Sequence, residues 1–243
     1  MKTLKLSLQF LALFLIAANV HAQTADEIIA KNIEAMGGKE KINSITSLYM
    51  ENTMSIMGNE SVSTTIILNG KGAKTKSDVM GQTMVQCYTD KGGWMINPMA
   101  GSTAATVMPD DQYKPGKSQI TIGESFMDYA AKGNKVVLIG KEKVQNVEAF
   151  KLKVTTSDSI TTFYYIDPST YYIVQTTLIA NMMGQQMEIV TTLSDYKKTD
   201  FGYVVPYTYN INYGDQFGLV MQLKKIEFNK PVDPSIFELG NML

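Results

Sequence analysis

From Gly140 to Asn229, apolar and polar residues alternate along one short segment after another. Phe150-Lys151-Leu152-Lys153-Val154 alternates cleanly, and Ile160 to Ile166 breaks at Asp167-Pro168-Ser169-Thr170. Tyr171 to Leu178 resumes the pattern, and Met187 to Tyr196 and Tyr203 to Tyr213 follow. A period of two over successive segments requires antiparallel strands with one buried and one wetted face. The first half reads the same way. Leu48, Met50, Met54 and Ile56 share one face of a strand, opposite Tyr49, Glu51, Thr53 and Ser55. A turn at Gly58-Asn59 leads into Ser61 to Leu68, where Val62, Ile66 and Leu68 face one way. Gly70-Lys71-Gly72 turns again into Ala73 to Val79, whose Lys74, Lys76 and Asp78 mark a solvent face. Thr83 to Thr89 and Trp94 to Asn97 complete this meander.

Two stretches depart from the strand pattern. Thr24 and Glu27 fit a capping box ahead of Ile28, Ile29, Ile33 and Met36 on one helical stripe, with Gly37-Gly38 as the stop. Between Met99 and Gly133 the alternation ceases. Pro109-Asp110-Asp111 and Lys114-Pro115-Gly116 are turn chemistry, while Phe126, Met127 and Ala130 predict a helix over Ile122–Ala131, ended by Gly133. No linker rich in Pro, Gly or Ser divides the chain, so one domain over 23–243 is expected.

The first 22 residues read as a cleavable signal peptide: Lys2 and Lys5, an apolar run from Leu6 to Ala18, and the small-x-small site Val20-His21-Ala22. Gln23 follows the cut, not cysteine, so no lipoprotein acylation site is expected there. These features predict an exported mature chain. Its 221 residues carry 20 lysines against 23 acids, which leaves no basic footprint for nucleic acid.

What the mature chain lacks excludes more than what it has. The single histidine, His21, leaves with the leader, and there is no arginine anywhere. Histidine general bases, Ser-His-Asp triads, His-rich zinc sites and bidentate Arg–phosphate clamps are therefore excluded. Ser194-Asp195-Tyr196-Lys197 has Ser-x-x-Lys spacing, but it ends a strand, where odd spacing sends the two side chains to opposite faces. The evident acids, Asp110-Asp111, Asp167 and Asp233, are turn initiators. Cys87 reads as a buried small hydrophobe, since no histidine is available to activate it. No metal or nucleotide motif is present, so neither an enzyme nor a cofactor is expected. The positive signal is methionine, of which the mature chain carries 15. Its soft, unbranched side chain suits a lining that repacks around an apolar guest.

Several segments in fixed order resemble the LolA-like superfamily of periplasmic lipoprotein carriers. They are Ile28-Ile29-Ala30 through Gly37-Gly38, Tyr164-Tyr165-Ile166-Asp167-Pro168-Ser169-Thr170-Tyr171, Ser194 to Lys198, Pro206-Tyr207, and Lys225-Ile226-Glu227-Phe228-Asn229 leading to Phe237. The resemblance spans nearly the whole mature chain. It implies a mainly β fold, an unclosed antiparallel β-barrel (a half-barrel) of about eleven strands with two or three helices across the concave face. It also implies that this face receives acyl chains. The arginine with which such carriers latch their helical lid has no counterpart here; Asn52 is a polar inner-face residue that could stand in its place.

Together these readings predict a non-catalytic periplasmic protein that binds lipid or an acylated lipoprotein, for lipoprotein sorting or lipid transport, as a monomer. Transport partners in the inner and outer membranes would follow from such a role, and nucleic acid would not. The alternative is an envelope sensor or protein-interaction module on the same half-barrel. The predicted binding surface is Leu48, Met50, Met54, Ile56, Val62, Ile66, Leu68 and Met84, with Phe126 and Met127 from the flap and Phe150, Leu152 and Val154 from the second half. For the later strands both faces are apolar (Phe163 and Tyr165 against Tyr164 and Ile166), and the inner side stays open.

Overall fold

A computed structural model describes residues 23–56, 59–123, 126–182, 185–214 and 217–242. The expected signal peptide over 1–22 lies outside them, as do Met57, Gly58 and Met183. Thirteen antiparallel strands form one open sheet, rather than about eleven. The first wing holds β1 (Ser47–Ile56), β2 (Asn59–Leu68), β3 (Gly72–Val79), β4 (Gln82–Thr89), β5 (Gly93–Asn97) and β6 (Ser102–Val107). The second holds β7 (Lys135–Val144), β8 (Val147–Thr155), β9 (Thr161–Ile166), β10 (Ile173–Met182), β11 (Gln185–Lys198), β12 (Val204–Tyr213) and β13 (Phe217–Phe228). The order β6-β5-β4-β3-β2-β1-β13-β12-β11-β10-β9-β8-β7 makes each wing a hairpin meander. One long-range pairing, β1 with β13, joins the wings at the centre, running from Leu48↔Phe228 to Ile56↔Leu219. This is an unclosed half-barrel whose edges are β6 and β7.

Helix α1 (Ala25–Ala35) begins with the expected capping box: the Glu27 amide donates to Thr24 Oγ1 at 3.2 Å, and the Thr24 amide to Glu27 Oε2 at 3.0 Å. Its Ile28 and Ile29 pack on Phe150, Leu152, Val154, Tyr164, Ile166 and Ile173, which fixes the inner face of the second wing. The buried Asn32 ties α1 down by donating to the Tyr171 carbonyl at 2.6 Å. A short α2 (Lys39–Asn43) adds Ile42 beside Met36, Met127 and Val204.

The chain must travel from edge β6 to edge β7, and residues 108–123 and 126–134 lie across the inner face. Two expectations fail here. The turn signals at Asp110 and Pro115 sit inside a helix, α3 (Asp110–Gly116), with Asp110 and Asp111 in its first turn, where the N-terminal dipole favours acids. The helix predicted over Ile122–Ala131 is instead a run of turns from 126 to 133. Asp128 has φ of +51°, and amides reach carbonyls three, four and five residues back (Tyr129 to Phe126, Lys132 to Asp128, Asn134 to Tyr129). A left-handed residue interrupts the regular i to i−4 ladder. The segment is nonetheless pinned, since Ile122, Phe126 and Met127 enter three different core clusters and Phe126 is 0% exposed. At the C-terminus of α3, Gly116 lies so close to the Tyr88 ring that a Cβ there would collide with it.

Candidate functional site

Residues opposite each other in an antiparallel pair share a face, so the register traces the inner surface rung by rung. One rung runs Tyr164–Thr176–Thr191–Ile211 and a neighbouring one Thr162–Leu178–Ile189–Tyr213. A third runs Leu193–Tyr209–Met221–Met54–Ser61 and crosses into the first wing. Over β9–β12, beyond the cover of α1, this surface is left open beneath the crossover. The resulting cavity has a volume of about 610 Å³, within the range of about 300–1,000 Å³ typical of small-molecule sites. Tyr164, Leu178, Ile189, Leu193 and Tyr209 give it an apolar floor, interrupted by Thr162, Thr176 and Thr191. Phe126 of the crossover meets Tyr164 edge-on, with ring centroids 5.0 Å apart.

The charged residues among its lining are Lys114, Lys117, Lys132 and Asp158. All four lie on the crossover or on the turn between β8 and β9, at the rim. Lys117 Nζ reaches Asp158 Oδ2 at 3.2 Å, bridging those two segments. Lys114 Nζ lies 2.8 Å from Asp110 Oδ2, and that hydrogen bond holds the ammonium above the usual lysine range. A smaller hollow of about 470 Å³ shares Lys114, Pro115 and Ile160 with the main one. A hollow by α1 and α2 is larger, about 750 Å³, but more open and lined by Glu34, Lys39, Glu40 and Lys41, which suits solvent better than an apolar guest. Among the described residues no group of three His, Cys, Asp or Glu side chains is placed to hold a metal.

Of the thirteen residues expected from sequence, the twelve whose side chains are described do not border this cavity. Leu48, Met50, Met54 and Met84 lie on the inner face, and Met54 is joined to the cavity-lining Tyr209 through Met221. Phe150, Leu152 and Val154 also face inward but are sealed beneath α1, and Phe126 and Met127 are buried anchors of the crossover. Val62, Ile66 and Leu68 need correction as inner-face residues. They pair with Thr53, Tyr49 and Ser47, which puts them on the outer face, where Val62 is 59% exposed. The inner face of β2 is Ser61, Ser63, Thr65 and Ile67. The side chain of Ile56 lies outside the described set. Asn52 is buried on the inner face, opposite Ser63 and Leu223. The floor carries no clear sequence signal because β9 is apolar on both sides, Phe163 and Tyr165 against Tyr164 and Ile166.

Ile66 and Leu68 belong instead to an outer cluster with Val85, Cys87, Trp94 and Ile96, closed by Phe237 of the C-terminal segment. Trp94 Nε1 donates to the Phe237 carbonyl at 2.9 Å, and a Cβ at Gly72 would stand 2.6 Å from the Phe237 ring. Lys74, expected in solvent, is 3% exposed beneath this strap. Its ammonium donates to the Asn241 carbonyl at 2.6 Å, and burial pulls its pKa down. Burial pushes the Cys87 thiol up to about 12, the opposite of an activated nucleophile.

The sequence matches no protein-family model and no curated protein. Its architecture does match solved structures. A DUF1329 family protein from Desulfovibrio piger ATCC 29098 superposes with a TM-score of 0.59 at 13% identity, covering 89% of this chain and 98% of that one. A putative outer membrane lipoprotein-sorting protein domain from Vibrio parahaemolyticus gives a TM-score of 0.59 at 13% identity, over 87% and 95% of the two chains. A LolA superfamily protein from Nitrosomonas europaea gives 0.59 at 10% identity, over 89% and 98%. The fold is LolA-like.

Proposed function

We propose that this chain is a non-catalytic carrier of the cell envelope, exported by its N-terminal segment, which shelters the hydrocarbon part of a lipid or of a lipid-modified protein on the inner face of its half-barrel. The observation that carries this reading is the cavity of about 610 Å³ whose floor is aliphatic and aromatic and holds no ionisable group other than tyrosine. Each buried CH₂ contributes about 0.8 kcal/mol, so a tail of about ten carbons in contact with Leu178, Ile189 and Leu193 supplies about 8 kcal/mol before the costs of binding. The fold shared with a lipoprotein-sorting domain and a LolA superfamily protein supports the same reading. So does the lack of arginine and of any histidine outside the leader, which leaves acyl-transfer or phosphoryl chemistry without its usual groups.

Native mass spectrometry of the protein purified from the envelope fraction tests it. Lipid-sized mass additions, lost when Leu178→Trp fills the cavity, are the expected result. Lipid-free protein that also takes up no N-phenyl-1-naphthylamine, a neutral apolar dye, overturns the proposal.

A further inference from the structure

The cavity is polarised: its floor is apolar and its charge sits at one rim. We infer that its guest is an amphiphile with an anionic headgroup, the tail lying on Leu178, Ile189 and Leu193 and the headgroup meeting Lys114, Lys117 and Lys132. This rests on the carrier reading above and narrows it.

Three lysines against one aspartate line the cavity, and Asp110, which pairs with Lys114 at 2.8 Å through largely exposed side chains, stands outside that lining. The charge bordering the cavity is therefore net positive although the whole chain is slightly acidic. The lysines come from two separate places. Lys114 and Lys117 sit on and just after α3, and Lys132 lies in the turns leading to β7. The only acid among the lining residues, Asp158, is engaged by Lys117 at 3.2 Å. That bridge is between half-exposed partners, with 39% and 35% of each side chain accessible. Such a pair is worth about 0–1 kcal/mol, so an incoming anion can take the Lys117 ammonium from Asp158 at small cost. Ser118 and Asn134 stand at the same rim as further hydrogen-bonding groups. The threonine hydroxyls of the floor, Thr162, Thr176 and Thr191, lie on the strands, where they accept or donate but carry no charge. A purely cationic head gains nothing from this arrangement. A carboxylate or a phosphate monoester or diester does, and the geometry is indifferent to which of them closes the tail.

The test is displacement of N-phenyl-1-naphthylamine from the full mature protein by three ten-carbon amphiphiles below their micelle concentrations. Decanoate and decyl phosphate carry anionic heads; decyltrimethylammonium carries a cation on the same tail. Both anions should displace the dye at concentrations roughly tenfold lower than the cation at low ionic strength, and the gap should narrow in about 0.5 M salt. In the triple variant Lys114→Gln, Lys117→Gln, Lys132→Gln the gap should shrink to about threefold or less, with the dye still bound and the melting temperature close to that of the parent. Displacement by only one of the two anions still upholds the headgroup assignment and identifies the source as acyl or phosphoryl. Equal displacement by anions and cation, or a gap unchanged in the triple variant, overturns the headgroup inference and leaves the carrier reading standing. No displacement by any amphiphile overturns both.

Discussion

The two wings are woven from the same kind of strand and filled in opposite ways. In the first wing both faces of β3 and β4 are covered. Ala73 and Tyr88 pack inward against Met108 and Ile120, and Val85, Cys87 and Trp94 pack outward against Phe237. In the second wing α1 seals the inner face near Phe150 and Leu152, and then stops, leaving Leu178, Ile189 and Leu193 bordering empty space. An apolar residue on a strand does not reveal whether it is core or binding floor. What lies across from it decides, and in a half-barrel the cover comes from segments distant in sequence.

Breaking the covered side gives the largest expected effect. Phe237→Ala removes the plug of the outer cluster and should cost about 3–5 kcal/mol, read as a lower urea midpoint. Cys87, fully buried in the parent, should then label with thiol reagents in the native state, and continued protection would mean that the strap does not seal it. Next comes a direct contrast between the faces of the second wing. Leu152→Ala, beneath α1, should cost about 2–5 kcal/mol. Leu178→Ala should cost about 1 kcal/mol, because its neighbours already border a cavity. Equal losses would show the cavity to be filled by the protein itself.

The third effect is a pH dependence centred on Cys87 in the covered wing. The folded Cys87 thiol, raised from 9.0 to about 12, stays protonated where the unfolded chain would ionise. Its contribution is fully present below pH 9 and is lost as the pH climbs from 9 toward 12. Cys87→Ala should therefore flatten the fall in melting temperature between pH 9 and 11. A slope equal to that of the parent would assign the alkaline loss to other groups. Smallest is the rim bridge: Asp158→Asn should change stability by no more than about 1 kcal/mol, yet strengthen displacement of the dye by decanoate.

The sequence made the strands legible wherever one face was dry and the other wet, as in Phe150 to Val154. It misled where both faces were dry. Val62, Ile66 and Leu68 attracted assignment to the interior because they are the apolar set of β2, but the interior set there is Ser61, Ser63, Thr65 and Ile67. Lys74 looked solvated because a lysine beneath a C-terminal strap, capped by the carbonyl of Asn241, has no local signature. β6 (Ser102–Val107) went unread because an edge strand of Ser, Thr and Ala, mostly exposed, shows no alternation to detect. The cavity floor was hidden for the complementary reason. Phe163 and Tyr165 face one side, Tyr164 and Ile166 the other, and only the rungs through Thr176 and Thr191 settle which side looks inward.

The seam between β1 and β13 has a kinetic corollary. Leu48 meets Phe228 only after the whole second wing has been made, and Asn229 then fastens the junction by accepting the Thr46 amide at 2.7 Å. Until that last strand arrives, each meander presents a bare edge in the middle of the future sheet, and loop closure over so long a span slows the final step. A folding chain is therefore at its stickiest just before that seam closes.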